Sequence, residues 1–360
     1  MKQLIKNQPV VALLLLIAFA VILFCFVMPA LNYWHKLNTM QTSIQVLEDL
    51  SLSETILLRL MEFCTGLGVF AIGASIGSYL NVLVYRMPLG LSVFWKPSHC
   101  PQCGQGIAGR DNIPILGWLK LHGRCRSCQL PISAQYPIVE AIAGVIILVL
   151  FFWQTLSGGW NIPVRIPNSY HGFVWIIFYT KWDLVGLLLL HGFLFYTLLT
   201  WWLIEFHQER IPRYSFLSAS IFVLLTLSIW PKLSPVPSGV SQIIDLNRTN
   251  PMIGFVSGLL GLCCGGILGW IVQWINRLQD KTSNQSLSTH YFTALTGAVL
   301  GWQAILVIVL CWIPLGLTSN LFQSEDRRRI PPHTIFLILV SLHHLFWRLI
   351  YEQIYFKFTV

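Results

Sequence analysis

Apolar runs separated by short polar stretches dominate the chain. A helix needs about 20 consecutive apolar residues to cross a bilayer core, and the runs recur near that length. The first is Pro9–Leu31, preceded by Lys2 and Lys6. A signal peptide would have an apolar core of roughly 7–15 residues and a small-x-small cleavage site. This run is longer, and Met28-Pro29-Ala30 is a poor site, so a retained anchor is expected. Residues 32–55 are mixed in polarity and are expected outside. Further spans are expected at about Ile56–Tyr85, Pro137–Trp153, Asp183–Ile204, Tyr214–Trp230, Ile253–Trp274, Phe292–Leu317 and Thr334–Tyr351, with an interruption at Gly301-Trp302. The pattern predicts an all-α polytopic membrane protein of about eight to nine transmembrane helices. Arg86–Tyr136 is the one polar stretch long enough to fold outside the membrane.

Composition agrees. Of 360 residues, 55% are hydrophobic and 10% charged, whereas soluble domains carry roughly a quarter charged residues. Mean hydropathy is +0.66, which excludes an ordinary soluble enzyme. A net charge of +9 would suggest nucleic acid, but the charges are too few and too dispersed, and no nucleic-acid partner is expected. They read better as orientation signals in short loops. With 86–136 in the cytoplasm, fifteen Lys and Arg fall inside, from Lys2 to Arg329, and six fall outside, from Lys36 to Lys357. That bias places the N-terminus and the polar domain in the cytoplasm. It also requires Gly301 to reverse the chain. Glycines four apart (Gly73 and Gly77, Gly254 and Gly258, Gly265 and Gly269) let membrane helices approach closely; they are read as packing positions.

Four of the nine cysteines form two tight pairs, Cys100-Pro-Gln-Cys103 and Cys125-Arg-Ser-Cys128. Two such knuckles present four thiolates tetrahedrally, the closed geometry of structural zinc. An iron–sulfur cluster is not distinguished by spacing alone, and disulfides are disfavoured in the cytoplasm. With four thiolates no coordination position stays open, so the metal is expected only to staple a small module. Cys25, Cys64, Cys263, Cys264 and Cys311 lie in apolar runs and are expected to pack.

The surroundings of these cysteines resemble the type IV prepilin peptidases, the bifunctional leader peptidase/N-methyltransferases. Gly77-Ser-Tyr-Leu-Asn81-Val-Leu-Val-Tyr85-Arg86-Met-Pro88 is similar to the family's GSFLNVxxYRxP signature. Asp111-Asn112-Ile-Pro114-Ile-Leu-Gly-Trp118 resembles DNIPxxSW, and Ser133-Ala-Gln135-Tyr136-Pro137-Ile-Val-Glu140 resembles SxRYPxVE, with Gln135 in place of Arg. The match is dense over about residues 66–145. Beyond it, Arg210-Ile-Pro212, Gly297-Ala-Val-Leu-Gly301-Trp302 and Arg329-Ile-Pro331 keep family order. The resemblance implies three regions. Residues 1–55 are an added anchor and outside loop, 56–136 the first family helix and zinc/N-methyltransferase-like module, and 137–360 a multi-helix membrane peptidase-like domain.

Members of this family cut the basic leader from prepilins and pseudopilins at the cytoplasmic face, then methylate the new N-terminus with S-adenosylmethionine. Proteolysis uses two aspartates sharing a proton, one from a D-x6-P element and one from a G-x-G-D-x-K element. Counting back seven from Pro212 reaches Glu205, and counting back eight from Gly297 reaches Thr289. Thr289 cannot hold or deliver a proton near neutral pH. Ser288 replaces the family glycine and Tyr291 the lysine. Glu205 and Thr289 are therefore candidate catalytic positions expected not to form a competent dyad. Asp280 and Glu209 are the nearest carboxylates that could be recruited, and Arg210 or Arg213 could pair with Glu205 instead. His207 and His290 could be imagined as an acid/base pair, though no spacing demands it. Adjacent His343 and His344 point to different helix faces.

The methyltransferase side is closer to the family. Asn81, Arg86, Asn112, Tyr136 and Glu140 match motif positions and are candidate residues for binding S-adenosylmethionine; folding the module onto the membrane is the equal alternative. Two function classes follow. One is an inner-membrane enzyme acting on type IV prepilins or type II secretion pseudopilins, with proteolysis weak or absent and methylation retained. The other is a non-catalytic protein that binds prepilins or assembly partners. A transporter is the weaker third class, because broken helices around midplane charges are not evident. The expected surroundings are membrane lipid and the bacterial inner membrane.

Overall fold

The computed structural model describes residues 22–28, 30, 51–95, 97–167, 180–234, 236, 250–279, 288–322 and 333–355. Most of the expected first span and residues 280–287, with Asp280, lie outside them. Among the described residues the protein is helical, with β-structure confined to two isolated bridges.

Helix α1 (Leu52–Arg86) opens on a capping box: Ser51 Oγ accepts from the Glu54 amide, and the Glu54 carboxylate accepts from the Ser51 amide. Satisfying these orphan donors fixes the start of the helix. The extramembrane module follows, with the one-turn α2 (Leu116–Lys120) inside it. Helix α3 (Gln135–Leu150) continues through a π turn to Leu156. Then come α4 (Trp182–Phe206), α5 (Arg213–Ile229), α6 (Pro251–Gln279), α7 (Thr289–Leu300), α8 (Trp302–Phe322), α9 (His333–Leu345) and α10 (Trp347–Ile350).

Four of these helices are long and apolar enough to cross a membrane: α1, α3 with its π turn, α4 and α6. A fifth span arises if α9 and the segment after it count as one, although an 83° bend at Phe346 separates them. The run expected as one last span is thus broken. Helices α5 and the first part of α8 are apolar but shorter.

Helix α4 is the centre of the bundle. Of its most apolar window, 67% is buried, against 33% for α1 and α6, so α4 is the most enclosed of the spanning helices, although Leu189 on it is still 66% exposed. Helix α7 has 12 residues, about 18 Å of rise. It is too short to span a core of about 30 Å. Every residue from Phe292 to Leu300 is buried, so α7 is an internal helix.

Small residues set how α7 sits. A Cβ on Gly261 would fall 2.0 Å from Gly297 O, and one on Gly297 would fall 2.3 Å from Gly261 O. The backbones of α6 and α7 touch, which only glycine permits. Gly73 and Gly77 do the same for α1 against α3, where a Cβ would meet Ala143 O at 2.8 Å and Glu140 Cα at 2.7 Å. Gly301 ends α7 at φ 95°, a conformation costly for other residues, and α8 starts at the next residue. The interruption expected at Gly301-Trp302 is present.

Candidate functional site

Two clusters carry chemistry. The first is the cysteine module. In each knuckle the first cysteine anchors a tight turn. Cys100 N–H donates to Gln105 O at 2.9 Å and Gly104 N–H to Cys100 O at 2.9 Å. Cys125 N–H donates to Leu130 O at 2.9 Å and Gln129 N–H to Cys125 O at 3.0 Å. The turn residues Gly104 (φ 70°) and Gln129 (φ 60°) occupy equivalent left-handed positions. Each loop is closed by one β-bridge, His99 with Gly106 and Arg124 with Pro131.

The four sulfurs lie within 4.8 Å of one another, and Cys100 Sγ is 4.0 Å from Cys128 Sγ. A tetrahedron with metal–sulfur bonds of about 2.3 Å has edges of about 3.8 Å, so the group fits a zinc-sized ion. Backbone N–H groups of Cys128 and Ser127 aimed at Cys125 bring its thiol down to about 7, favouring the ligating thiolate. Arg126, between the second pair of cysteines, grips Asp111 with two bonds of 2.6 Å. That grip ties the second knuckle to the Asp111–Trp118 motif.

A cavity of about 590 Å³ lies between this module and the ends of α1 and α3. Asn81, Arg86, Asn112, Tyr136 and Glu140 all line it, with Cys100, Cys125, Asp111 and Trp118. The volume is in the range of small-molecule sites. The same residues also build the fold. Asn81 Nδ2 donates to Tyr136 O at 3.2 Å. Arg86 donates to Ser92 O and Pro97 O, both at 3.2 Å. Glu140 accepts from the Ile115 amide at 2.6 Å. Ile115 sits at φ 62°, ψ −53°, at the centre of a γ-turn closed by Leu116 N–H to Pro114 O at 2.6 Å. Such a backbone is strained for a β-branched residue, and here it points the amide at a carboxylate on α3. Gln135, at the family's arginine position, lies 2.8 Å (Nε2–Nε2) from His207. His207 is thus engaged away from His290, and the two do not pair.

The second cluster lies where three helix ends meet. Glu205 is the penultimate residue of α4, Ser288 and Thr289 open α7, and His333 opens α9. Glu205 Oε2 is 2.5 Å from His333 Nδ1. Ser288 Oγ donates to the other carboxylate oxygen, Oε1. On the far side of the ring, His333 Nε2 is 3.1 Å from Thr289 Oγ1. Phe292 stacks on the imidazole at 4.3 Å and 1°, and Trp312 flanks it at 5.7 Å. Trp202 of α4 donates to Thr334 Oγ1 at 2.8 Å, holding α9 in register beside α4. His333 is 3% exposed and Thr289 8%, so the ring and hydroxyl are shielded.

The sequence brought Glu205 and Thr289 forward but missed His333. Its only local signal is its place just after Pro331-Pro332, at the start of an apolar run. Glu205 is not paired with Arg210 or Arg213; among the described residues its carboxylate oxygens meet His333 and Ser288. Glu209 is exposed, and Asp280 lies outside the described residues. Tyr291 stacks on Phe216 at 4.5 Å.

An apolar helical bundle carrying a four-thiolate module on its polar loop defines the class, and comparison with known proteins shows what the chain resembles. Residues 71–154 match the model of the bacterial peptidase A24 N-terminal domain. A prepilin leader peptidase/N-methyltransferase of Myxococcus xanthus is 29% identical over 266 residues, which cover 74% of this chain and 65% of that protein. One of Aeromonas hydrophila is 27% identical over 78% of this chain and 89% of its own length. A type 4 prepilin-like proteins leader peptide-processing enzyme of Escherichia coli is 38% identical over 27% of this chain and 43% of its length. No solved structure matches. Over about three quarters of its length the chain is thus similar to prepilin leader peptidase/N-methyltransferases, and over residues 71–154 to the bacterial peptidase A24 N-terminal domain.

Proposed function

We propose that this is an inner-membrane protein of the prepilin-processing type, acting on type IV prepilins or type II secretion pseudopilins. The observation that carries this reading is the convergence of Glu205 and Thr289, 84 positions apart, on one buried cluster at helix ends. These are the positions that the family resemblance pairs as aspartates. The likeness to named leader peptidase/N-methyltransferases supports the substrate class.

In this reading the aspartic mechanism is lost. A dyad works because two adjacent carboxylates cannot both ionise, so one remains an acid. Glu205 faces an imidazole and a hydroxyl, not a second carboxylate. Leader cleavage by water activated between two carboxylates is therefore expected to be slow or undetectable. The cavity beside the cysteine module is the proposed site for S-adenosylmethionine. Asn81, Arg86, Asn112, Tyr136 and Glu140 line it, and Glu140 supplies a negative charge for a cationic methyl donor. The cysteines hold structural zinc, and the module with the N-terminus lies in the cytoplasm. The second reading, a non-catalytic prepilin-binding protein, is favoured by the hydrogen bonds that already occupy Asn81, Arg86 and Glu140.

Purified protein with a prepilin, assayed separately for leader cleavage and N-terminal methylation, tests the proposal. Methyl transfer without efficient cleavage is the expected result. Rapid Glu205-dependent cleavage that survives Thr289→Ala would reveal a second acid, and Glu209 and Asp280 would be the first to replace.

A further inference from the structure

Glu205, His333 and Thr289 are not merely adjacent; their order is that of a carboxylate, an imidazole and a hydroxyl. With Glu205 ionised and His333 neutral, these bonds select one tautomer. An ionised carboxylate only accepts, so His333 carries its proton on Nδ1 and donates it to Glu205 Oε2 at 2.5 Å. Nε2 is then a bare lone pair, and Thr289 Oγ1, 3.1 Å away, donates to it. A bare imidazole nitrogen within reach of an alcohol is how a hydroxyl becomes a nucleophile. The supports are specific. Ser288 Oγ holds the second oxygen of Glu205 instead of capping its own helix. The Phe292 ring lies parallel to the imidazole and fixes its plane. Thr289 is also the first residue of α7, and the first backbone bond of that helix is donated by Tyr291 to Ser288 O. The amide of Thr289 therefore precedes the hydrogen-bonded ladder, while that of His290 packs against Gly269 of α6.

We propose that Thr289, His333 and Glu205 form an acyl-transfer triad, with Thr289 as nucleophile, at the place where relatives use paired aspartates. The Thr289 oxygen forms a bond to a carbonyl carbon, and its proton passes to His333 Nε2. Glu205 holds the resulting imidazolium. The tetrahedral adduct collapses as the bond to the leaving amine breaks, and His333 Nε2 returns the proton to that amine. The product is an ester on Thr289. Water, deprotonated by the same nitrogen, then releases the acyl group as a carboxylic acid and restores the hydroxyl. The inference goes beyond the role proposed above and rests on reading this cluster as its site: where the aspartic route is lost, it assigns the cluster a slow covalent turnover that does not restore efficient leader cleavage.

The test needs no prepilin. Detergent-purified full-length protein is treated with p-nitrophenyl acetate, and peptides are mapped by mass spectrometry before and after hydroxylamine. The expected result is a hydroxylamine-labile acetyl group on Thr289, retained on the new hydroxyl in Thr289→Ser. His333→Gln should slow acylation by roughly 10²–10⁴-fold, the usual contribution of a general base. Glu205→Gln should slow it too, with recovery in Glu205→Asp, while the thermal midpoints of these variants stay near wild type. No label on Thr289, label on Ser288 alone, or labelling indifferent to His333→Gln in a protein of unchanged midpoint would overturn the triad. Leader cleavage without acylation of Thr289 would overturn it and leave the processing role standing. Acylation of Thr289 in a protein that neither cleaves nor methylates any prepilin would uphold the triad and remove the processing role.

Discussion

At the scale of single residues, charge pairing decides more than charge number. Asp111 is the single acidic residue of the polar stretch 86–136. The Arg126 guanidinium holds its carboxyl below the usual range. A carboxyl whose folded pKa is depressed adds stability above its unfolded value and loses it as pH falls through the folded value. Asp111→Asn should therefore lower the thermal midpoint at neutral pH, and the gap from wild type should close as acid protonates Asp111. A gap constant down through acidic pH, followed by circular dichroism in detergent, would show that the pair contributes nothing. The thiolates give a second prediction at this scale. Purified protein should carry about one zinc per chain, and the Cys103→Ser, Cys128→Ser double variant should lose it. Full metal retention in that variant would refute the four-sulfur site.

Whole elements are placed by what is missing from them. Gly297 and Gly261 let α6 and α7 share backbone contact, and a methyl on either has no room. Gly297→Ala should destabilise the bundle by about 1–3 kcal/mol, the usual cost of overpacking. Gly68 is the control. It is exposed on α1, and nothing lies within 4 Å of its Cβ position. Gly68→Ala should be neutral or slightly stabilising, by up to about 1 kcal/mol, because alanine is the better helix former. Equal effects of the two changes on the thermal midpoint would remove the packing argument. The position of α7 matters for chemistry, since its first turn delivers both Ser288 and Thr289 to Glu205 and His333.

The molecule as a whole is a bundle around α4 with a polar module on one loop. The Lys and Arg asymmetry predicts that this module and the loop at 232–252 lie on opposite sides of the membrane. Reporter fusions at Ile107 and Leu246 should give opposite signals, and like signals would overturn the orientation. Much of this level was legible in the sequence. The spans expected near Ile56–Tyr85, Pro137–Trp153, Asp183–Ile204 and Ile253–Trp274 coincide with α1, α3, α4 and α6 to within a few residues. Apolarity over 20 residues is a local property, read one segment at a time. The sulfur cluster was legible for the same reason, since each knuckle is a local turn and only two had to meet.

What the sequence alone determined is thus the helical membrane class and the four-thiolate group, and it brought Glu205 and Thr289 forward as candidate positions. Tertiary structure decided what those positions became. Glu205, Thr289 and His333 are separated by 84 and 44 residues, and no periodicity links the ends of three different helices. Their meeting depends on glycines that let α7 sink against α6, on Trp202 gripping Thr334, and on Phe292 facing the imidazole. Thr289, locally only the first residue of a short helix, becomes, once those contacts are made, a hydroxyl held at hydrogen-bond distance from a histidine. The physical reason is that a side chain's chemistry is set by its neighbours in space, and packing, not spacing along the chain, chooses them.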